Sequence, residues 1–145
     1  MFDWKWDFTI EILPRLGWAT LNTLMAAGGG YAIAIVLGLV LALAQRTPYR
    51  LLTFIVREFV EFIRSTPLVL QIFFVFYVGP QFGIRLSPWT SGMIAIGLHY
   101  AAYLSEVYRG GLDSVPKGQW EACRSLSMST RDTYFRIIIP QALPP

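Results

Sequence analysis

Three runs free of Asp, Glu, Lys and Arg dominate the chain: residues 16–45, 65–84 and 86–105, of 30, 20 and 20 residues. At about 1.5 Å per residue, twenty helical residues cover the roughly 30 Å of hydrocarbon in a bilayer. A helix also satisfies its own backbone there, which an isolated strand cannot do. A soluble bundle would instead carry charges at helical spacing along a wet face of each segment, and these runs have none. The pattern predicts an all-α integral membrane chain with spans at about 18–44, 65–84 and 87–105, forming one domain over 1–145. The residues before the first span include Asp3, Lys5, Asp7 and Glu11. A cleaved signal would begin basic and run into a short apolar core, so the first span is read as retained.

Polar and small residues within the runs give each span a character. In the first, Ala26, Gly30, Ala34, Gly38 and Ala42 recur at every fourth position, a strip that lets another helix approach closely. Gly28 to Gly30 soften the helix. The second is preceded by Arg57-Glu58-Phe59-Val60-Glu61-Phe62-Ile63-Arg64, where Glu61 can pair with Arg57 or Arg64. Pro67 should kink the chain, with Ser65 or Thr66 available to the freed carbonyl, and Gly79-Pro80 should close the span. Gln71 needs a partner in hydrocarbon; an interhelical hydrogen bond is the default and a place on a solute path the alternative. The third span holds His99, Tyr100 and Tyr103, with Glu106 at its inner end. His99 is expected to be hydrogen-bonded within the bundle, with a pathway role as the second reading. Metal binding is not expected, since it is the one His and lacks ligands at suitable spacing.

Composition agrees: 54% of residues are hydrophobic, 14% are charged and the mean hydropathy is +0.49. Arg46, Arg50, Arg57 and Arg64 lie between the first two spans, Arg85 alone between the next two, and Arg109, Lys117, Arg124, Arg131 and Arg136 after the third. Because Lys and Arg favour cytoplasmic loops, this order predicts an external N-terminus and a cytoplasmic C-terminal segment. The net charge of +3 is thus a topology signal; no nucleic-acid reading motif accompanies it. The single cysteine, Cys123, excludes an internal disulfide.

Beyond Glu106, Gly110 and Gly111 can stop the third span, Pro116 suits the first turn of a new helix and Ser114 is a possible cap. On that helix Trp120, Cys123 and Leu126 are spaced to share one face, with Glu121, Arg124 and Ser125 turned away. A second short helix from about Thr130 would bring Tyr134, Phe135 and Ile138 together before Pro140. Two short amphipathic helices at a membrane face suit a docking element, or simply an interfacial segment lying on lipid.

Glu121-Ala122-Cys123, three residues, Ser127, nine residues and then Ile137-Ile138-Ile139-Pro140 resemble the EAA signature of permease subunits of binding-protein-dependent ABC importers. Arg64-Ser-Thr-Pro-Leu-Val-Leu-Gln, Glu106-Val-Tyr-Arg-Gly-Gly and Ser114-Val-Pro-Lys-Gly-Gln-Trp-Glu-Ala resemble the polar amino acid branch. The Met1-Phe-Asp-Trp start, Leu98-His-Tyr and Gln141-Ala-Leu-Pro-Pro resemble an ectoine and hydroxyectoine permease subunit. The resemblance implies a coupling segment at 117–140, with Gly118, Gln119, Trp120, Glu121, Ala122, Cys123, Ser127 and Pro140 engaging a separate ATPase. It also implies a cytoplasmic ATPase dimer carrying the ATP and Mg, an extracytoplasmic solute-binding protein, a second permease subunit, and residence in a bacterial inner membrane. No cofactor is expected on this chain, and it is read as a transport subunit rather than an enzyme: it has no phosphate-binding Gly-rich loop with a Lys. Cys123 stands where the family has Ala, and Ser127 where it has Gly, so the bend at Ser127 pays for any positive φ. Permeases of this family have about five spans, so the chain is expected to be the N-terminal part of one. A non-transporting membrane scaffold that docks a partner through 117–140 is the alternative from another class.

Overall fold

The computed structural model describes residues 5–142, whose regular elements are helices joined by short turns, with no strand among them. The Met1-Phe-Asp-Trp start and residues 143–145 lie outside the described residues.

Helix α1, Trp6–Ala44, is 39 residues long and begins about twelve residues before the expected span. At 1.5 Å per residue it measures roughly 58 Å, well beyond a bilayer's hydrocarbon. Its most apolar stretch has a mean hydropathy of 2.2. Helix α4, Pro88–Ser114, starts on a Ser87 cap whose Oγ accepts from the Thr90 N–H at 3.1 Å, with Pro88 at the first helical position. That is the residue pair a helix start favours. α4 is long enough to span, yet it is less apolar than α1 because Ser91, Gly97, His99 and Ser105 dilute it. Among the described residues, α1 alone is a helix long and apolar enough to cross unaided.

The reason lies in what α4 touches. Gly30, Ala34, Gly38 and Ala42 of α1 are buried, as are Gly97, Ala101 and Ser105 of α4, while Ala26 is half-buried. A Cβ on Gly30 would come within 2.7 Å of the Ile96 side chain, one on Gly38 within 2.9 Å of Leu104 Cβ, and one on Gly97 within 2.7 Å of Ile33. Backbones thus approach along a strip of small residues, where dispersion replaces the missing hydrophobic drive. The contacts pair 30 with 97 and 38 with 105, and Arg46 bonds Asp113. That common offset means α1 and α4 run parallel, so the segment between them must return the chain to its starting end.

That return is made by a broken element rather than the straight span expected over 65–84. Helix α2, Arg50–Ser65, carries Arg57 to Arg64 as part of a regular helix. After Thr66 the chain turns through 107° into α3, Leu68–Phe73, which continues as a π turn, Phe74–Val78, and a 3-10 turn, Gly79–Phe82. From Leu68 to Phe82 the rise is roughly 22 Å at 1.5 Å per residue. The turn at Gly79-Pro80 ends on Gly83, whose φ of 81° suits glycine. Val60 and Ile63 of α2 pack with Ala102 of α4 and with Leu41, Val56 and Leu98 around them.

Expectations at the end of α4 are corrected. Gly110 and Gly111 do not stop the helix, which runs to Ser114. It ends because Pro116 disfavours helical geometry at the preceding residue, and Val115 is extended with ψ 124°. A Cβ on Gly111 would lie 3.2 Å from the Ala142 carbonyl, so this glycine admits a neighbouring backbone. Ser114 donates back to the Gly111 carbonyl at 2.7 Å instead of capping the next helix, whose cap position is Pro116.

Candidate functional site

Helix α5, Lys117–Ser125, is followed by α6, Thr130–Asp132, a π turn, Thr133–Ile138, and α7, Ile139–Ala142. Ser129 Oγ accepts from the Asp132 N–H at 3.1 Å to start α6. The π turn directly precedes Pro140 at the second position of α7. A wider turn accommodates a ring that would otherwise meet the carbonyl four residues back.

α5 sorts its residues by face. Cys123 is buried, and the partly buried Trp120 rests on a cluster of Leu112, Val115 and Ile138 with Tyr134, Ile137 and Ala142. The Trp120 and Tyr134 rings meet edge to face at 5.3 Å. Gly118, Gln119, Glu121, Ala122 and Ser125 are exposed. Gln141 Nε2 donates to the Ile137 carbonyl at 2.8 Å and reaches Gln119 Oε1 at 3.5 Å. Two side chains lie elsewhere than the spacing predicts. Leu126 is 75% exposed because it is the residue that ends α5, where the helical period no longer holds. Phe135 is 67% exposed because the π turn shifts the face between Tyr134 and Ile138.

Ser127 has φ 52°, the one positive φ on a non-glycine among the described residues. Its N–H donates to the Arg124 carbonyl at 2.9 Å and the Met128 N–H to the Cys123 carbonyl at 3.0 Å. This pair of bonds closes a helix through a left-handed residue, a position glycine fills without strain.

Gln71 serves the bend. Its Nε2 donates to the Ile63 carbonyl at 2.8 Å and to Thr66 Oγ1 at 2.7 Å, while Thr66 Oγ1 donates to the same Ile63 carbonyl at 3.1 Å. These bonds occupy a carbonyl that the turn at Pro67 removes from the helical ladder. Gln71 Oε1 is buried without a partner, beside a cavity of about 350 Å³ lined by Phe59, Phe62, Leu70, Phe74 and Leu98.

The aromatic group on α4 is assembled separately. His99 lies 5.4 Å from Tyr100 and 5.1 Å from Tyr103, ring to ring. Its Nδ1 is buried without a hydrogen-bond partner, so the expected hydrogen bond within the bundle is not made at this nitrogen. Tyr103 donates to the Arg64 carbonyl at 3.3 Å, and the Arg64 guanidinium lies 5.3 Å from its ring centre. No metal-holding group of three or more His, Cys, Asp or Glu occurs among the described residues.

Ion pairs run along the shared end of α1, α2 and α4. Arg64 reaches Glu61 at 3.6 Å and Glu106 at 3.9 Å; Arg109 bonds Glu106 at 2.5 Å and Asp113 at 3.3 Å; Arg46 bonds Asp113 at 2.5 Å. The hydrogen bond from Arg109 holds the Glu106 carboxyl, just past the third predicted span, below the usual carboxylate range. The Arg46 guanidinium also lies 5.7 Å from the Trp120 ring centre. In the sequence Arg46 reads only as a topology charge and Asp113 has no evident role, since their pairing depends on the α1–α4 register.

Comparison with known proteins places this geometry. Residues 34–145 match the family described as binding-protein-dependent transport system inner membrane component. The chain is 40% identical to a probable amino-acid ABC transporter permease protein, y4tG, of Sinorhizobium fredii, covering 99% of this chain and 65% of that one. It is 41% identical to the L-cystine transport system permease protein TcyB of Bacillus subtilis, covering 94% and 59% respectively. The nopaline transport system permease protein NocM of Agrobacterium fabrum is 38% identical over 93% of this chain and 62% of its own. A crystal structure of an amino acid ABC transporter with histidines superposes with a TM-score of 0.87 at 28% identity, over 97% of this chain and 66% of that one. The chain therefore spans about three fifths of the length of these relatives, and it belongs to the inner membrane permease components of binding-protein-dependent ABC transport systems.

Proposed function

We propose that this chain contributes the membrane path and the motor-docking segment of an ATP-driven importer for a small polar or zwitterionic solute of the amino acid class. Ectoine and hydroxyectoine are the narrower candidates by resemblance. The carrying observation is the two-faced α5: Trp120 anchors it to the end of α4 and Cys123 is buried, while Gly118, Gln119, Glu121 and Ala122 are exposed on the outside. A short rigid helix held by a packed cluster transmits displacement to the helix beneath it, which a flexible loop cannot do. ATP and Mg belong to a cytoplasmic ATPase pair, solute delivery to an external binding protein, and the other half of the path to a second permease subunit. The basic segments at the common end of parallel α1 and α4 support a cytoplasmic docking face and an external N-terminus.

The unpartnered His99 Nδ1 and Gln71 Oε1 support a place near the solute path, because buried polar atoms without partners are uncommon. Tyr100 and Tyr103, both about half exposed beside His99, complete that candidate path.

The test is retention of the ATPase. Glu121→Arg combined with Ala122→Asp changes only exposed positions, so the bundle should fold unchanged. Binding of the cognate ATPase should weaken about tenfold or more, as expected when exposed charge is reversed at an interface. Unchanged retention contradicts the docking assignment. Retention lost on substitution, but with no solute uptake by the intact assembly, would favour the scaffold reading.

A further inference from the structure

The geometry points to Arg46 as a positioning residue that ties the end of the first span to the coupling segment, so that movement of α5 is delivered to α1 as well as to α4. This rests on the docking function proposed for α5. Packing joins α5 to α4 through the cluster of Leu112, Val115 and Ile138. Arg46 adds a link to α1 that is polar and directional.

Arg46 sits just past the last turn of α1. Its Nη1 bonds Asp113 Oδ1 at 2.5 Å, and Asp113 Oδ2 accepts from Arg109 at 3.3 Å, so one carboxylate on α4 is held from two sides. The same guanidinium lies 5.7 Å from the centre of the Trp120 ring. Arg46, Asp113, Trp120, Lys117, Arg124 and Tyr134 are among the residues lining a cavity of about 450 Å³ between α5 and the end of α4. A planar, delocalised cation can present an edge to a carboxylate and a face to an indole at once. Lysine, a compact point charge on a flexible stem, keeps the cytoplasmic-side charge but cannot hold both contacts in fixed geometry. Side-chain burial is intermediate, with 27% of Arg46 and 49% of Asp113 exposed. The contribution to resting stability is therefore small, and the role is geometric.

The experiment uses the natural full-length permease assembled with its ATPase and binding protein in proteoliposomes, reading solute transported per ATP hydrolysed. Arg46→Lys should lower this ratio about threefold, the scale of one lost cation–π contact, with expression and ATPase retention unchanged. Arg46→Lys and Asp113→Asn should be non-additive, the double variant being no worse than the poorer single one. An unchanged ratio in Arg46→Lys, or additive losses, overturns the proposal. So does a loss confined to expression or assembly, which marks a purely structural side chain. Glu121→Arg with Ala122→Asp runs alongside: if that pair leaves ATPase retention intact, the docking reading itself has failed, whereas normal loss there with no Arg46 effect rejects Arg46 alone.

Discussion

Ser127 carries a conformational cost that its neighbours do not share. A left-handed backbone costs a non-glycine residue roughly 1–2 kcal/mol, and φ 52° at Ser127 is held by the two bonds that close α5. Ser127→Gly removes that cost but adds roughly 0.5–1 kcal/mol of unfolded-chain freedom, leaving a net gain of about 0.5–1 kcal/mol. Hydrogen exchange of the Met128 amide should slow about threefold; faster exchange would mean that the serine side chain stabilises the bend. This cost is legible in the sequence through its resemblance to the EAA signature, in which a serine stands where the family has glycine. The role of Gln71 is not, because its amide reaches the Ile63 carbonyl only after the chain has turned through 107°. Leu126 and Phe135 depart from a 3.6-residue period for a related reason: the period does not hold past the end of one helix or through a π turn.

Between helices, the governing contact is the parallel seam of α1 and α4. Gly38→Val would place a branched side chain where even one carbon meets Leu104 Cβ at 2.9 Å and the Ala101 carbonyl at 3.0 Å. Two backbones must then separate, and overpacking of this kind costs about 1–3 kcal/mol. Gly28→Val, at a position with nothing within 4 Å, keeps the propensity change without the clash. The thermal midpoint in detergent should fall clearly for position 38 and much less for position 28; equal falls would assign the effect to helix propensity. The four-residue spacing made the strip visible in sequence. Its occupant is not visible there, since the facing residues Gly97, Ala101 and Ser105 lie within a span that also carries the polar His99 and Tyr103. Pro67 announced a kink, but its size depends on α2 and α3 packing separately against α4.

At the scale of the whole molecule, parallel α1 and α4 bring Arg46 and the basic segment after Glu106 to one end, and α5 presents its exposed face there. The account requires that end to be cytoplasmic and that face to meet the ATPase. A cysteine introduced as Ser125→Cys in a Cys123→Ala background can be probed with a membrane-impermeant maleimide in vesicles of both orientations. The predicted result is labelling in inside-out vesicles only, with protection once the ATPase is bound. Labelling of sealed right-side-out vesicles would contradict the account at its centre.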